Sequence, residues 1–539
     1  METILFNGNI HTLDQESPRA EALLIRDGFI HAVGNNSDVL AQASPNAERI
    51  DLGGRLVLPG FTDSHMHVVY YASLLRQVSL WFVTSWAEAR ERLTAALADL
   101  PAGKWLVASG MNQDDWSDTH KLPDRHDLDA ISADVPIYLT RVCGHIVCMN
   151  TKALELTGFM NERPGTAETI DFGEDGLPNG YIREVSVNRA ADTLPAPDID
   201  EIKDMILQIT NAAAAKGLTR VHSDDCQMFS QGSWRTILRA YRELAADGKL
   251  PIRVYEQLRF LTPAGFREFL DEGYRYNQRF GRFKIGPLKV VSDGSLGAHS
   301  AAMLEPYRND PAAKGIFLFS DEELRELIGT AYANGFSAVI HCIGDAALEQ
   351  VLNVLAEESA KYPADDRRSG IIHCQIMSSS QQDRFRDLGL LAYVQPVFIR
   401  SDARIVADCV GEEKAEQSYN WHRFLDLGIH MSGGSDCPVE SFDPIPNMYY
   451  AVTRKPSVDA APWYPANGIT LDEAAAMFTK EGSYAAYDED VTGILKPGMA
   501  ADLTVLDHDI YNIPPEDFFK TNAVMTMVEG EIVYRSAEF

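Results

Sequence analysis

Two histidines, His65 and His67, close the stretch Leu58-Pro59-Gly60-Phe61-Thr62-Asp63-Ser64-His65-Met66-His67. In an extended strand residues two apart share a face, so both imidazoles would point the same way. Neutral imidazoles converging on one point make half of a metal site. Other polar residues stand against their apolar surroundings: His341 ends Ser337-Ala338-Val339-Ile340-His341, His373 ends Ile371-Ile372-His373, and Asp436 ends Gly433-Gly434-Ser435-Asp436. Lys289 lies inside Ile285-Gly286-Pro287-Leu288-Lys289-Val290-Val291, where a lysine must pair, lose its charge or leave. Each has an ordinary reading as well. His341 and His373 could be satisfied core histidines, Asp436 a turn cap, Lys289 the partner of Asp293, and Asp345 the N-cap of its helix.

The elements that would carry these residues alternate strand and helix. Strand-like segments fall at 61–67, 218–223, 252–258, 288–292, 338–341, 370–373, 391–395 and 430–434, with helical patterns between them. Ser320-Asp321-Glu322-Glu323 reads as a capping box opening one such helix, and residues 345–362 repeat apolar positions at helical spacing. Eight strands with helical crossovers predict an α/β fold, a (β/α)8 TIM barrel, whose working residues sit at C-terminal strand ends. The polar residues above fall at the ends of strands one, four, five, six and eight, which fits one site better than five accidents.

About 150 residues separate the first two strands, more than one helix needs, so residues 85–200 are expected to form a small α/β insertion over the barrel mouth. Residues 1–58 and 486–539 read as short strands and turns, with 3–12, 22–33 and 49–57 as strand-rich runs and hairpins at Asp27-Gly28 and Glu529-Gly530. They predict one β-sandwich domain built from both termini, leaving 59–485 for the barrel.

The bulk properties narrow the function. A chain of 539 residues with 45% hydrophobic residues can bury a large core, and a net charge of −30 argues against nucleic acid, whose phosphates need a basic surface. Seven scattered cysteines without a paired spacing, no signal-like start and no apolar run of membrane-spanning length predict a soluble, cytoplasmic protein with a small-molecule substrate, compatible with a homodimer.

The ordered set of His-x-His on strand one, Lys on four, His on five, His on six and Asp on eight resembles the amidohydrolase superfamily. The segments 58–67, Lys289-Val290-Val291-Ser292-Asp293-Gly294-Ser295-Leu296-Gly297, His341-Cys342-Ile343-Gly344-Asp345-Ala346-Ala347 and Gly434-Ser435-Asp436-Cys437-Pro438 look like its amidohydrolase-3 branch, to which N-substituted formamide deformylases belong. Gly493-Ile494-Leu495-Lys496-Pro497-Gly498-Met499-Ala500-Ala501-Asp502-Leu503 resembles the superfamily's return into its terminal β-domain.

That resemblance implies two divalent metal ions, zinc first among the candidates. His65, His67 and Asp436 would hold one, His341 and His373 the other, and Lys289, carboxylated by carbon dioxide, would bridge them. It implies hydrolysis of a C–N bond in an amide, formamide or cyclic amide by a metal-activated hydroxide, with Asp436 as general base and acid. His145, Glu184 and His299 are the substrate-binding candidates, although His299 stands where an arginine or similar residue is expected. The competing readings are a mononuclear deaminase-like enzyme, which would lack the strand-four lysine, an ester or lactone hydrolase using the same metals, and a barrel without catalysis, which should have lost ligands.

Overall fold

The computed structural model describes residues 2–165, 169–229 and 232–539. It divides into two compact units, one formed by 1–69, 199–228 and 232–539, the other by 70–198 with 229–231.

The first unit holds eight parallel strands: β1 (Phe61–Met66), β2 (Leu218–Ser223), β3 (Arg253–Arg259), β4 (Phe283–Val291), β5 (Ala338–Cys342), β6 (Gly370–His373), β7 (Leu391–Val394) and β8 (Met431–Gly433). Each pairs with its neighbour in chain order from β1 through β8. Strands buried on both faces read as continuous apolar runs, and β1, β2, β6, β7 and β8 are buried at every position. The seam between β8 and β1 is joined by single hydrogen bonds: Ser64 Oγ to the Gly433 carbonyl, the Asp436 amide to the His65 carbonyl, and the His67 amide to the Cys437 carbonyl, each 2.8 Å. The barrel is thus nearly closed, as the strand count predicts.

The helices cover it with apolar faces. In Ile199–Ala214, Ile202, Met205, Ile206, Ile209 and Ala213 are buried at helical spacing. Ser320 and Glu323 form the expected capping box, and Ser378 with Gln381 opens Ser379–Asp387 the same way. Asp345 is not an N-cap. Gly344 occupies that position, and the Asp345 carboxylate instead accepts from the Leu304 amide at 2.8 Å and from Lys414 at 2.7 Å.

Both ends of the chain contribute to two β-sheets in this unit. One has the order Phe29–Gly34, Ala22–Arg26, Glu2–Phe6, Glu48–Asp51; the other has Glu531–Arg535, Ala523–Val528, Leu503–Leu506, Leu56–Pro59, Asn9–His11, Arg19–Ala20. Leu5, Ile10, Leu23, Ile25, Val57, Leu503, Val505 and Met525 pack between them. Two of the strand-rich runs are divided between the sheets. Residues 3–12 break at Asn7 (φ 55°), and 49–57 breaks at Gly53 and Gly54 (φ 58° and 81°), so each chain segment leaves one layer for the other. Leu56–Pro59 pairs antiparallel with Leu503–Leu506 and runs directly into β1. At the junction Gly60 lies so close to Thr219 that a Cβ there would collide with it.

The second unit is a six-stranded sheet in the order Ile170–Phe172, Pro178–Arg183, Ile146–Met149, Ile137–Arg141, Leu106–Met111, Val78–Ser79. Leu93, Leu106, Trp116, Leu128, Ile137, Leu139 and Cys148 form its main core. The short strand Val78–Ser79 already pairs with Leu106–Met111, which is why the unit opens at Tyr70 and not near residue 85. Among the described residues no helix is long and apolar enough to cross a membrane.

Candidate metal centre

The C-terminal ends of the barrel strands bring His65, His67, Lys289, His341, His373 and Asp436 into one group. His65 Nε2 and His67 Nε2 lie 3.3 and 3.1 Å from Asp436 Oδ1, and one ligand atom from each of these three residues lies within 4.8 Å of the others. Across from them His341 Nδ1 and His373 Nε2 are 2.9 Å apart. The ring centroids of His65 and His373, 5.9 Å apart, connect the two halves, and Lys289 Nζ is 3.2 Å from His65 Nε2.

What these nitrogens can do follows from their outer partners. His65 Nδ1 faces Gln257 Oε1 at 2.7 Å and His373 Nδ1 faces Gln395 Oε1 at 2.8 Å. His67 Nδ1 faces the Asp224 carbonyl at 3.0 Å, and His341 Nε2 faces the Gly294 carbonyl at 3.1 Å. Both glutamines have their amide nitrogens on backbone carbonyls, of Ser64 and Tyr393, which fixes the oxygens toward the rings. All four outer partners therefore accept and each outer nitrogen carries a proton, so the inward nitrogen of a neutral ring is a lone pair, while the inward nitrogen of His67, 3.1 Å from Asp436, can carry a second proton. His341 Nδ1 and His373 Nε2 then meet lone pair to lone pair at 2.9 Å. No hydrogen bond can form between them without a cation, so the donor set fits a metal ion.

The electrostatics agree. Burial lowers the His65 pKa to about 4, with the Lys289 charge adding to it, and burial with the neighbouring His341 holds His373 well below its ordinary value. Burial disfavours charge on His67 too, but its hydrogen bond to Asp436 and the charges of Asp224 and Asp436 outweigh this and raise it. Burial would raise Asp436, yet its close contacts with His65 and His67 hold it well below the carboxylate range. The pocket thus keeps an ionised carboxylate beside two imidazoles. Burial pulls Lys289 down to about 8.

The backbone is shaped for this arrangement. His373 (φ 80°) and Asp436 (φ 57°) adopt the left-handed region that favours glycine, which places strain at two of the converging residues. Asp63 accepts from the His65 amide, the Ser435 amide and the Ser435 hydroxyl at 3.1, 3.1 and 2.5 Å, so it fastens β1 to the loop after β8. A Cβ on Gly434 would come within 2.7 Å of the His65 nitrogen.

Lys289 does not pair with Asp293. Its ion contact is Asp224 at 3.8 Å, and Asp293 accepts from the amides of Ala302, Ile343 and Gly344. His145 and Glu184 pair with each other at 3.1 Å in the second unit, both largely exposed. His299 lies 3.4 Å from Asp310 with its ring against Tyr307. Gln257, Gln395 and Asp63 went unremarked in the sequence. Gln395 directly follows the apolar strand Leu391–Val394, whereas Gln257 and Asp63 lie in strands that already hold several polar residues.

The family model described as the amidohydrolase family matches residues 48–534. The chain is 29% identical over the whole length of both proteins to the putative amidohydrolase YtcJ of Bacillus subtilis (strain 168). It is 24% identical to the N-substituted formamide deformylase of Arthrobacter pascens, over 99% of this chain and 98% of that one. The crystal structure of an uncharacterized metal-dependent hydrolase from Pyrococcus furiosus superimposes with a TM-score of 0.80 at 27% identity, covering 96% of this chain and all of that one. With a histidine set that fits a metal and a match over most of its length, the chain belongs to the amidohydrolase family of metal-binding hydrolases.

Proposed function

We propose that the protein hydrolyses the C–N bond of a non-peptide amide, a formamide or a cyclic amide. The observation that carries this reading is the inward pairing of His341 Nδ1 and His373 Nε2, two lone pairs 2.9 Å apart beside the His65, His67 and Asp436 cluster. His65, His67 and Asp436 would hold one divalent ion and His341 and His373 a second, with zinc the first candidate. When bound, such ions acidify a water and polarise a carbonyl.

Lys289 is suited to complete the set. Its amine, buried and brought down to about 8, is partly neutral near neutral pH, and a neutral amine adds to carbon dioxide to give a carbamate with loss of one proton. The cation beside His65 is thereby exchanged for an anionic oxygen ligand. Asp436, at 12% side-chain exposure, remains ionised, takes the proton of the attacking water and delivers it to the departing nitrogen. The likeness to a formamide deformylase supports formamides as the first substrates to try.

Metal analysis tests the reading. Purified protein should carry about two divalent ions per chain, Lys289→Ala should lose metal, and a short carboxylate should restore part of it. Full activity in metal-free protein, or unchanged metal content in Lys289→Ala, would overturn it.

A further inference from the structure

Arg259 ends β3 at the same rim as the metal centre, and its direction follows from two separate relations. Gln257, two residues earlier, turns its side chain inward to His65, so Arg259 leaves the strand on the same side. In the ladder with β4, Arg259 is the register partner of Lys289, whose Nζ faces His65. Laterally paired residues share a face, which gives the same answer.

The guanidinium is uncommitted. Arg259 makes no side-chain hydrogen bond or ion pair among the described residues, and its Nε is buried without a partner. Asp224 does not clamp it. Both Asp224 carboxylate oxygens are buried without a hydrogen bond, and the ion contact of that residue is Lys289. A planar, permanently charged fork with free donors is matched to a carboxylate. In a chain of net charge −30, attraction of an anion has to be local.

We propose that Arg259 is a specificity-determining residue that receives a carboxylate carried by the substrate, so that the preferred substrates are amides bearing an acidic group. This rests on the hydrolase reading above and adds the substrate class to it. One carboxylate of a dicarboxylate can occupy the metal centre while the other meets Arg259, and a monocarboxylate of equal length lacks the second contact.

Calorimetric titration of the metal-loaded enzyme with succinate and with butyrate tests this. Wild type should bind succinate about 10–100-fold more tightly, the range of one charge-assisted pair. Arg259→Gln should bring the two within about twofold, and Arg259→Lys should fall between, since a point charge without the fork recovers part of the contact. A wild type without the preference, or an Arg259→Gln protein that keeps it, overturns the assignment, as does an Arg259→Gln protein that loses only stability or metal while its ratio stays. Metal content and amide cleavage measured on the same wild-type preparation report on the hydrolase reading separately: a metal-loaded protein that prefers succinate but cleaves no amide keeps the Arg259 assignment, and one that cleaves amides without the preference overturns it.

Discussion

The amide of Asp436 donates to the carbonyl of His65 over 2.8 Å, and Asp436 Oδ1 lies 3.3 Å from His65 Nε2. One pair of residues thus joins the first and last strands through its backbone and faces across the candidate metal centre through its side chains. Closing the barrel and assembling the site are the same event at this seam.

Weakening the seam should therefore cost both stability and metal. Ser435→Ala removes the 2.5 Å hydrogen bond to Asp63 and the acceptor of the Cys437 amide. Burial already raises Asp63 to about 7 against these hydrogen bonds, so losing one leaves a buried carboxylate poorly satisfied. A loss of about 1–3 kcal/mol is expected in denaturant titration, with weaker metal retention against a chelator.

Gln257→Leu and Gln395→Leu should leave the fold intact and weaken metal binding about 10–100-fold, because each frees a histidine ring to change tautomer or orientation. Competition with a metallochromic chelator reads this directly. Circular dichroism unchanged from wild type, together with unchanged affinity, would show that the amide oxygens do not set the rings.

Carboxylation of Lys289 should depend on pH with a definite sign. Its folded-state pKa of about 8 lies below the ordinary lysine value, so the reactive neutral form grows as pH rises through 8. In metal-free protein given labelled carbon dioxide at fixed concentration, the initial rate of carbamate formation by carbon NMR should rise roughly fivefold between pH 7 and 8. An ordinary exposed lysine would give a tenfold rise there that continues toward pH 10.

Asp488 predicts an acid sensitivity remote from this chemistry. It is 4% exposed and pairs with Arg220 at 2.8 Å, with Lys284 at 3.1 Å and with Arg279. Burial would raise its pKa, but these cations hold it far below the carboxylate range. Its contribution is then present above the unfolded carboxylate pKa of about 4 and is lost as pH falls below that. Asp488→Asn should cost about 3–5 kcal/mol at neutral pH and flatten the acid limb of the stability profile, measured by denaturant melts from pH 7 to 3.

The sequence by itself determined whatever depends on local periodicity. The parity of His65 and His67, the polar residues closing apolar strands, and the alternation of strand and helix are all readable within a dozen residues, because strand and helix repeats are short-range. Boundaries that depend on which layer a segment joins were not readable, and residues 3–12 and 49–57 divide between two sheets for that reason. Nor were the partners that give each ring its role. Gln257 lies 192 residues from His65, and the Gly294 carbonyl lies 47 from His341. Only the closed barrel brings them within hydrogen-bond reach, and only their accepting oxygens turn the histidine lone pairs inward. The sequence supplied the polar side chains at their strand ends; tertiary packing decided which nitrogen of each ring faces the centre.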